Sequence, residues 1–315
     1  MPKEPLRSRS TPYAGGLARV GGHRDILSCI GHAATSPYGG LKLPASIALW
    51  IWYRGDHFNG YQTQVTSPTV EQALTLALRA GGISAAPVGA GRTDKGVHAR
   101  MQVVRIRDRQ HQPEELSERV RPHLPLGLGI CYAAGAKREF HPQWSSVSKE
   151  YRYRVRLWPT PHPEWESFSW LACENPRLRG RELKPRRIQG LLEKAVGRRD
   201  FIAFHEKSSP RRLRALLEIK LVELRPGLVD VRLRGDGFAR YQVRYLVGSA
   251  LAAAAGAIPV EEYLAALETG APIDGLKAPP HGLILWEVSY PQAVDPFARA
   301  LASNGLPGDP PFSES

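Results

Sequence analysis

The chain has 315 residues, enough for about two domains at the usual ~100 to 200 residues each, which excludes a disulfide-stapled miniprotein. Its 42% hydrophobic and 23% charged residues are ordinary globular composition, and no stretch approaches the ~20 apolar residues of a membrane span, so a soluble protein is expected. Lys and Arg number 43 against 30 Asp and Glu, and the resulting net charge of +13 attracts polyanions, leaving nucleic acid, acidic membrane and acidic protein partners open. Cys29, Cys131 and Cys173 are far apart and odd in number, which argues against a disulfide framework or a structural zinc site and fits a reducing compartment.

Residues 1–44 show neither helical nor strand periodicity and read as a disordered or non-essential extension; 292–315 read as a second loose tail. Between them one order of elements occurs twice. In 45–148, Ile47, Leu49, Ile51 and Tyr53 alternate as a strand. Ser67 as N-cap and Pro68 at the first helical position then open a helix along Val70, Leu74 and Leu78. A short strand near 87–90, a strand over 101–107, a short helix over 114–120 and a strand over 128–134 complete βαββαβ. In 149–291, Tyr151, Tyr153 and Val155 alternate against Arg152, Arg154 and Arg156. A helix follows from Pro185, ended by Gly197, then a hairpin turned by Pro226 and Gly227, a helix along Val243, Val247 and Leu251, and a closing strand over 283–290. A further helix over 260–267 is inserted in this half, which otherwise repeats βαββαβ, the split βαβ order of ferredoxin-like and RNA-recognition modules.

The segment GAGRTDKGVHA, residues 89–99, interrupts these apolar patterns with three glycines and an Arg-Thr-Asp triplet. As turn chemistry, Thr93 or Asp94 satisfies a local backbone N–H and Gly96 takes a left-handed conformation. As a site, Asp94 is a lone carboxylate flanked by Arg92, Lys95 and His98, kept ionised to act as nucleophile or base. No second carboxylate is nearby in the sequence, which disfavours a paired acid–base mechanism.

GAGRTDKGVHA resembles the AGRTDxGVHA signature of the tRNA pseudouridine synthase A (TruA) family. Other segments agree in order: ALWIWYRGDHFNGYQTQ (48–64), FHPQWSSVSKEYRYRV (140–155), GRRDFIAF (197–204), GFARYQVRYLVG (237–248) and APPHGLILWEVSY (278–290), so that the resemblance spans about 46–291. It implies an α+β pseudouridine synthase fold, two ferredoxin-like halves joined around a central mixed, largely antiparallel sheet with a cleft. It implies Asp94 as catalytic nucleophile, Arg92 holding the target nucleotide out of the stem, Tyr151 against the base, Arg244 pairing with the carboxylate, and Leu283 in the pocket. It further implies a cytoplasmic homodimer acting on uridines of the tRNA anticodon stem-loop, without metal or redox cofactor. Pro142, Gln143 and Gln242 stand where the family usually has Ala, Arg and Met, and Lys95 replaces a commoner small residue.

Without the resemblance, Tyr151 and Tyr153 default to core aromatics and Arg244 to a solvated surface residue, while His98, His141 and His281 are packing histidines. Residues 177–214 hold thirteen Lys or Arg, including Arg186 and Arg187, interleaved with Phe201 and Phe204 and preceded by Trp165, Phe168 and Trp170. That run is read as an RNA-backbone surface. Two function classes follow: an RNA-modifying enzyme, or a non-catalytic binder of structured RNA with RNA-recognition-like domains. Asp94 separates them, since a pure binder has no use for a carboxylate facing a polyanion.

Overall fold

The computed structural model describes residues 42–65, 68–161, 163–206, 212–298 and 312; residues 1–41, Ser67, Lys207 and Arg211 lie outside this set. The elements run β1 (Ser46–Tyr53), α1 (Val70–Ala80), β2 (Pro87–Gly89), β3 (His98–Ile106), α2 (Pro113–Val120), β4 (Leu128–Ala136) and β5 (Ser148–Arg156). There follow β6 (Trp170–Leu171), α3 (Pro185–Glu193), β7 (Gly197–Arg199), β8 (Arg214–Arg225), β9 (Leu228–Gly235), α4 (Gln242–Ala254), α5 (Val260–Thr269) and β10 (Leu283–Ser289).

The fold is α+β, with a ten-stranded sheet in the order β4-β1-β3-β10-β5-β9-β8-β7, β2 lying on β3 and β6 on β5. In the first half β1 pairs antiparallel with β3 and β4, and β2 with the 104–106 end of β3. The second half repeats that ladder, with β5 antiparallel to β10 and β9, and β9 to β8. The two ladders join through a short parallel contact that sets Ile284 beside His98 and Leu285 beside Ala99. The joint therefore brings the start of β10 next to the loop that carries Asp94.

Helix α1 starts two residues later than the Ser67–Pro68 pair predicts. Thr69, in an extended conformation, accepts a hydrogen bond from Gln72 N at 3.3 Å and is the N-cap. Pro68 instead gives its carbonyl to Asn59 N at 2.8 Å, which ties the helix entry to the preceding loop. Gly197, expected to end α3, opens β7.

The alternation along β5 sorts its side chains as read. Tyr153 and Val155 join the core under α3, α4 and α5, while Tyr151 bridges this core and that of the first half. The arginines of the other face are not solvated. Arg154 is wholly buried, and its guanidinium donates to Asp230, its register partner on β9, at 2.8 and 3.2 Å beneath the Trp165 ring. Arg152 lies 3.5 Å from the centre of the Trp286 ring.

Candidate active site

A cleft of about 1020 Å³ opens where the two ladders meet, walled by the Asp94 loop, Lys149, Tyr151, the 238–243 connection and Leu283. The loop is held from behind. Tyr53 and Thr93 share a 2.8 Å buried hydroxyl–hydroxyl hydrogen bond, and Thr93 O accepts from Tyr61 N at 3.1 Å. Asp94 O accepts from Val97 N at 3.1 Å, closing a turn that needs the positive φ of +81° at Gly96. A Cβ there would also lie 2.9 Å from Pro280 Cγ, so residue 96 is constrained twice. Gly96 matches the turn reading; Thr93 does not, because its hydroxyl reaches across to β1 and not to a local N–H. On the same wall, Lys149 Nζ donates to Ala90 O at 2.7 Å, and burial followed by the Arg212 charge brings its ammonium down to about 8.

The cations that bear on Asp94 are Arg244, Arg240 and Lys277, in that order, and not the sequence neighbours Arg92, Lys95 and His98. Burial outweighs them, and Glu206 adds to it, so the carboxyl titrates above the ordinary aspartate range. Sequence spacing hid Glu206, which adjoins the site through its N–H to Arg240 O at 3.1 Å. Arg240 Nε stands 3.8 Å from Asp94 Oδ1. Arg244 is buried in the first turn of α4, its Nε donating to Ala278 O at 2.7 Å. His98 faces away from the cleft: Nδ1 accepts from Gly55 N at 3.0 Å and Nε2 donates to His281 O at 3.1 Å. Burial lowers it to about 4, so it is a neutral packing residue.

Tyr241 links the three cations. Its ring centre lies 4.7 Å from Arg240 Cζ, 5.1 Å from Arg244 Cζ and 4.6 Å from Lys277 Nζ. Its φ of +64° is the one positive value among the described non-glycine residues, a local strain placed beside the carboxylate. Gln242 takes the side-chain role just below, accepting from Ala239 N at 2.8 Å to fix the entry to α4. Within GFARYQVRYLVG the resemblance points to Arg244 alone; the aromatic between two arginines, Arg-Tyr-Gln-Val-Arg, is the local signal for Arg240 and Tyr241.

Tyr151 sits between Leu285 and Leu233 in register, edge-on to Phe238 at 5.1 Å and 83°, and burial pushes its hydroxyl well above the ordinary tyrosine value. Leu283, the first residue of β10, is buried on the cleft wall, and Arg92 is exposed at its rim. Asp94, Arg92, Tyr151 and Leu283 all line the cleft. Arg186 and Arg187 do not: they are exposed on α3, whose Ile188, Leu191 and Leu192 pack inward.

The basic run is also partly structural. Arg181 donates to Ala255 O and Gly256 O at the end of α4, Arg199 to Leu267 O of α5, and Arg177 to Asp274 O. Phe168, Trp170, Phe201 and Phe204 are buried and are not exposed stacking surfaces.

A family model described as tRNA pseudouridine synthase matches residues 191–291. The chain is 32% identical to tRNA pseudouridine synthase A of Chlamydia trachomatis serovar L2b over 276 residues, 83% of this chain and 98% of the relative. It is 34% identical to the Syntrophotalea carbinolica protein of the same name over 78% of this chain and 96% of the relative. Among solved structures, a Cbf5-Nop10-Gar1 complex aligns at 12% identity and a TM-score of 0.33, over 70% of this chain and 56% of that one. At that sequence similarity over nearly the whole length of its relatives, the chain belongs to the tRNA pseudouridine synthase A family of isomerases.

Proposed function

We propose that this protein converts uridine to pseudouridine in the anticodon stem-loop of tRNA, with Asp94 as nucleophile. The observation that carries the reading is a half-buried carboxylate set among Arg244, Arg240 and Lys277 in a cleft that is large enough for a flipped nucleotide. The carboxylate attacks C1′, and the N1–C1′ bond breaks with its electron pair remaining on the uracil. The uracil turns, C5 bonds to C1′ and the carboxylate leaves. The C5 proton is lost to water while N1 gains one, so the product is an isomer of the substrate and no redox change occurs.

Arg240, at 3.8 Å, and Arg244, through its charge, disperse the negative charge of the carboxylate. Tyr151 packs on the displaced base, Leu283 closes the apolar side, and Arg92 at the rim engages the backbone of the extruded nucleotide. The same reading makes the protein a cytoplasmic homodimer whose subunits share one tRNA, with its net charge of +13 drawing the polyanion in. The test is a tRNA transcript tritiated at C5 of uridine. Release of label to water in EDTA, with no added cofactor, is the expected result. Binding of tRNA without release from any transcript would replace the enzyme by a structured-RNA binder.

A further inference from the structure

Away from the cleft, and sharing no lining residue with it, a second pocket of about 250 Å³ is walled by Ala45, Ser46, Arg105, Arg107, Arg109 and Arg138. No acid among the described residues lines it. Of the two adjacent in sequence, Glu139 is exposed and outside the lining, and Asp108 is already engaged: its carboxylate accepts from Gln110 N at 2.7 Å, from His111 N at 3.0 Å and from the His111 ring at 3.0 Å. Arg107, Arg109 and Arg138 form no ion pair with a described acid.

Two buried polar groups on the wall lack partners. Arg105 is 7% exposed and donates through one terminal nitrogen to Phe140 O at 2.6 Å, yet its Nε–H is unbonded. Ser46 is 4% exposed and its hydroxyl is likewise unbonded. A buried donor without an acceptor costs about 1 to 3 kcal/mol, more when charged, and a tetrahedral oxyanion would satisfy both groups at once.

We propose that this pocket holds a backbone phosphate of the RNA substrate, with Arg105 and Ser46 as its floor and Arg107, Arg109 and Arg138 as its rim. The claim rests on the RNA-substrate reading above. RNA is favoured over a free anion by what adjoins the pocket. The 140–142 segment is clamped by Phe140 against Tyr290 at 5.1 Å and by Tyr290 Oη donating to Pro142 O at 2.8 Å. Two residues beyond that segment, Trp144 stacks on His141 at 3.9 Å and 13° while remaining 80% exposed, offering a free indole face to a base. His141 feels the charges of Arg105 and Arg107, and Gln143 lines the cleft. Five residues from Arg138 to Gln143 span at most ~18 Å, so phosphate pocket, stacking face and cleft lie along one short path.

The test uses the full chain with Arg107→Gln, Arg109→Gln and Arg138→Gln combined, three changes outside the core. The triple variant should bind tRNA about tenfold more weakly near 0.1 M salt, with the slope of log affinity against log salt reduced by about one. Tritium release at saturating tRNA should be unchanged. Trp144→Ala should weaken tRNA binding about tenfold and leave inorganic phosphate binding as it is. In protein labelled with ¹⁵N-arginine, the Arg105 Nε–H resonance should move on adding tRNA and, at higher concentration, inorganic phosphate. Wild-type affinity and slope in an active triple variant would overturn the proposal while sparing the enzyme reading. A shift with inorganic phosphate and none with tRNA would overturn it in favour of a free-anion site. Absence of release by the unmodified protein would overturn the enzyme reading, and the pocket proposal would then fall as well only if tRNA did not move Arg105.

Discussion

In the cleft, Asp94 stands among Arg240, Arg244 and Lys277, with the Tyr241 ring against all three cations; in the second pocket, Arg105 meets Arg107, Arg109 and Arg138, and no carboxylate among the described residues lines the wall. A third arrangement is the Arg154–Asp230 pair, where cation and anion are both buried and directly opposed. An arginine paired with a buried acid is structural, and a cluster of arginines that faces no described acid is the arrangement proposed to take an anion from outside. A carboxylate partly matched by cations, yet held above its ordinary pKa by burial, is poised to react.

The largest change to this pattern comes from Arg244. Arg244→Gln removes the strongest cation acting on Asp94, and turnover should fall by about 10² to 10³. Because that charge lowers the Asp94 pKa, its loss raises the value further, and the acid limb of the kcat–pH profile should move to higher pH. Arg244→Lys, which keeps the charge and loses the Nε bond to Ala278 O, should recover part of the rate and most of the pH shift. A profile that stays in place in Arg244→Gln would mean that Arg244 acts on something other than Asp94.

Next in size is the matched pair. Asp230→Asn leaves Arg154 charged and buried and should cost about 3 to 5 kcal/mol of stability, read as a lower midpoint in urea. Turnover of the folded protein should not change. Replacing both by apolar residues, Arg154→Met with Asp230→Leu, should recover much of the loss, which separates the cost of an orphaned charge from the worth of the pair.

Local patterns carried much of this structure and distant ones did not. The alternation of Tyr151, Tyr153 and Val155, the Gly96 turn and the Pro185 helix start are set within a few residues, and each is found where the sequence places it. The order of the long elements occurs twice as read, because apolar periodicity reports the buried face of each one; the short strands β6 and β7, too brief to show a period, are not legible. What escaped depends on contacts across the sheet. The partners of Arg152 and Arg154 are not legible in β5, since nothing local shows Trp286, Trp165 or Asp230 on other elements. Arg181 and Arg199 look like RNA ligands, since helix ends they cap lie far along the chain. The cations acting on Asp94 come from the other half of the molecule, and no spacing rule could find Lys277 or Glu206.

The smallest effect should come from Arg186 and Arg187. Reversing both to Glu should weaken tRNA binding only about threefold near 0.1 M salt, because they are exposed on α3 and outside the cleft. A larger loss than that of the Arg107, Arg109 and Arg138 variant would move the RNA path to α3.

Asp94→Asn isolates the carboxylate: the substitution keeps shape and removes the proposed nucleophile. The native fold holds this carboxyl above its unfolded pKa, so its ionisation works against folding above that pKa, and the variant should be as stable as the unmodified protein or more so at neutral pH. The measurement is single-turnover tritium release from uridine-labelled tRNA with the protein in excess and saturating. No release is expected from Asp94→Asn, with tRNA affinity equal to or tighter than that of the unmodified protein; release at a comparable rate would mean that Asp94 is not the nucleophile.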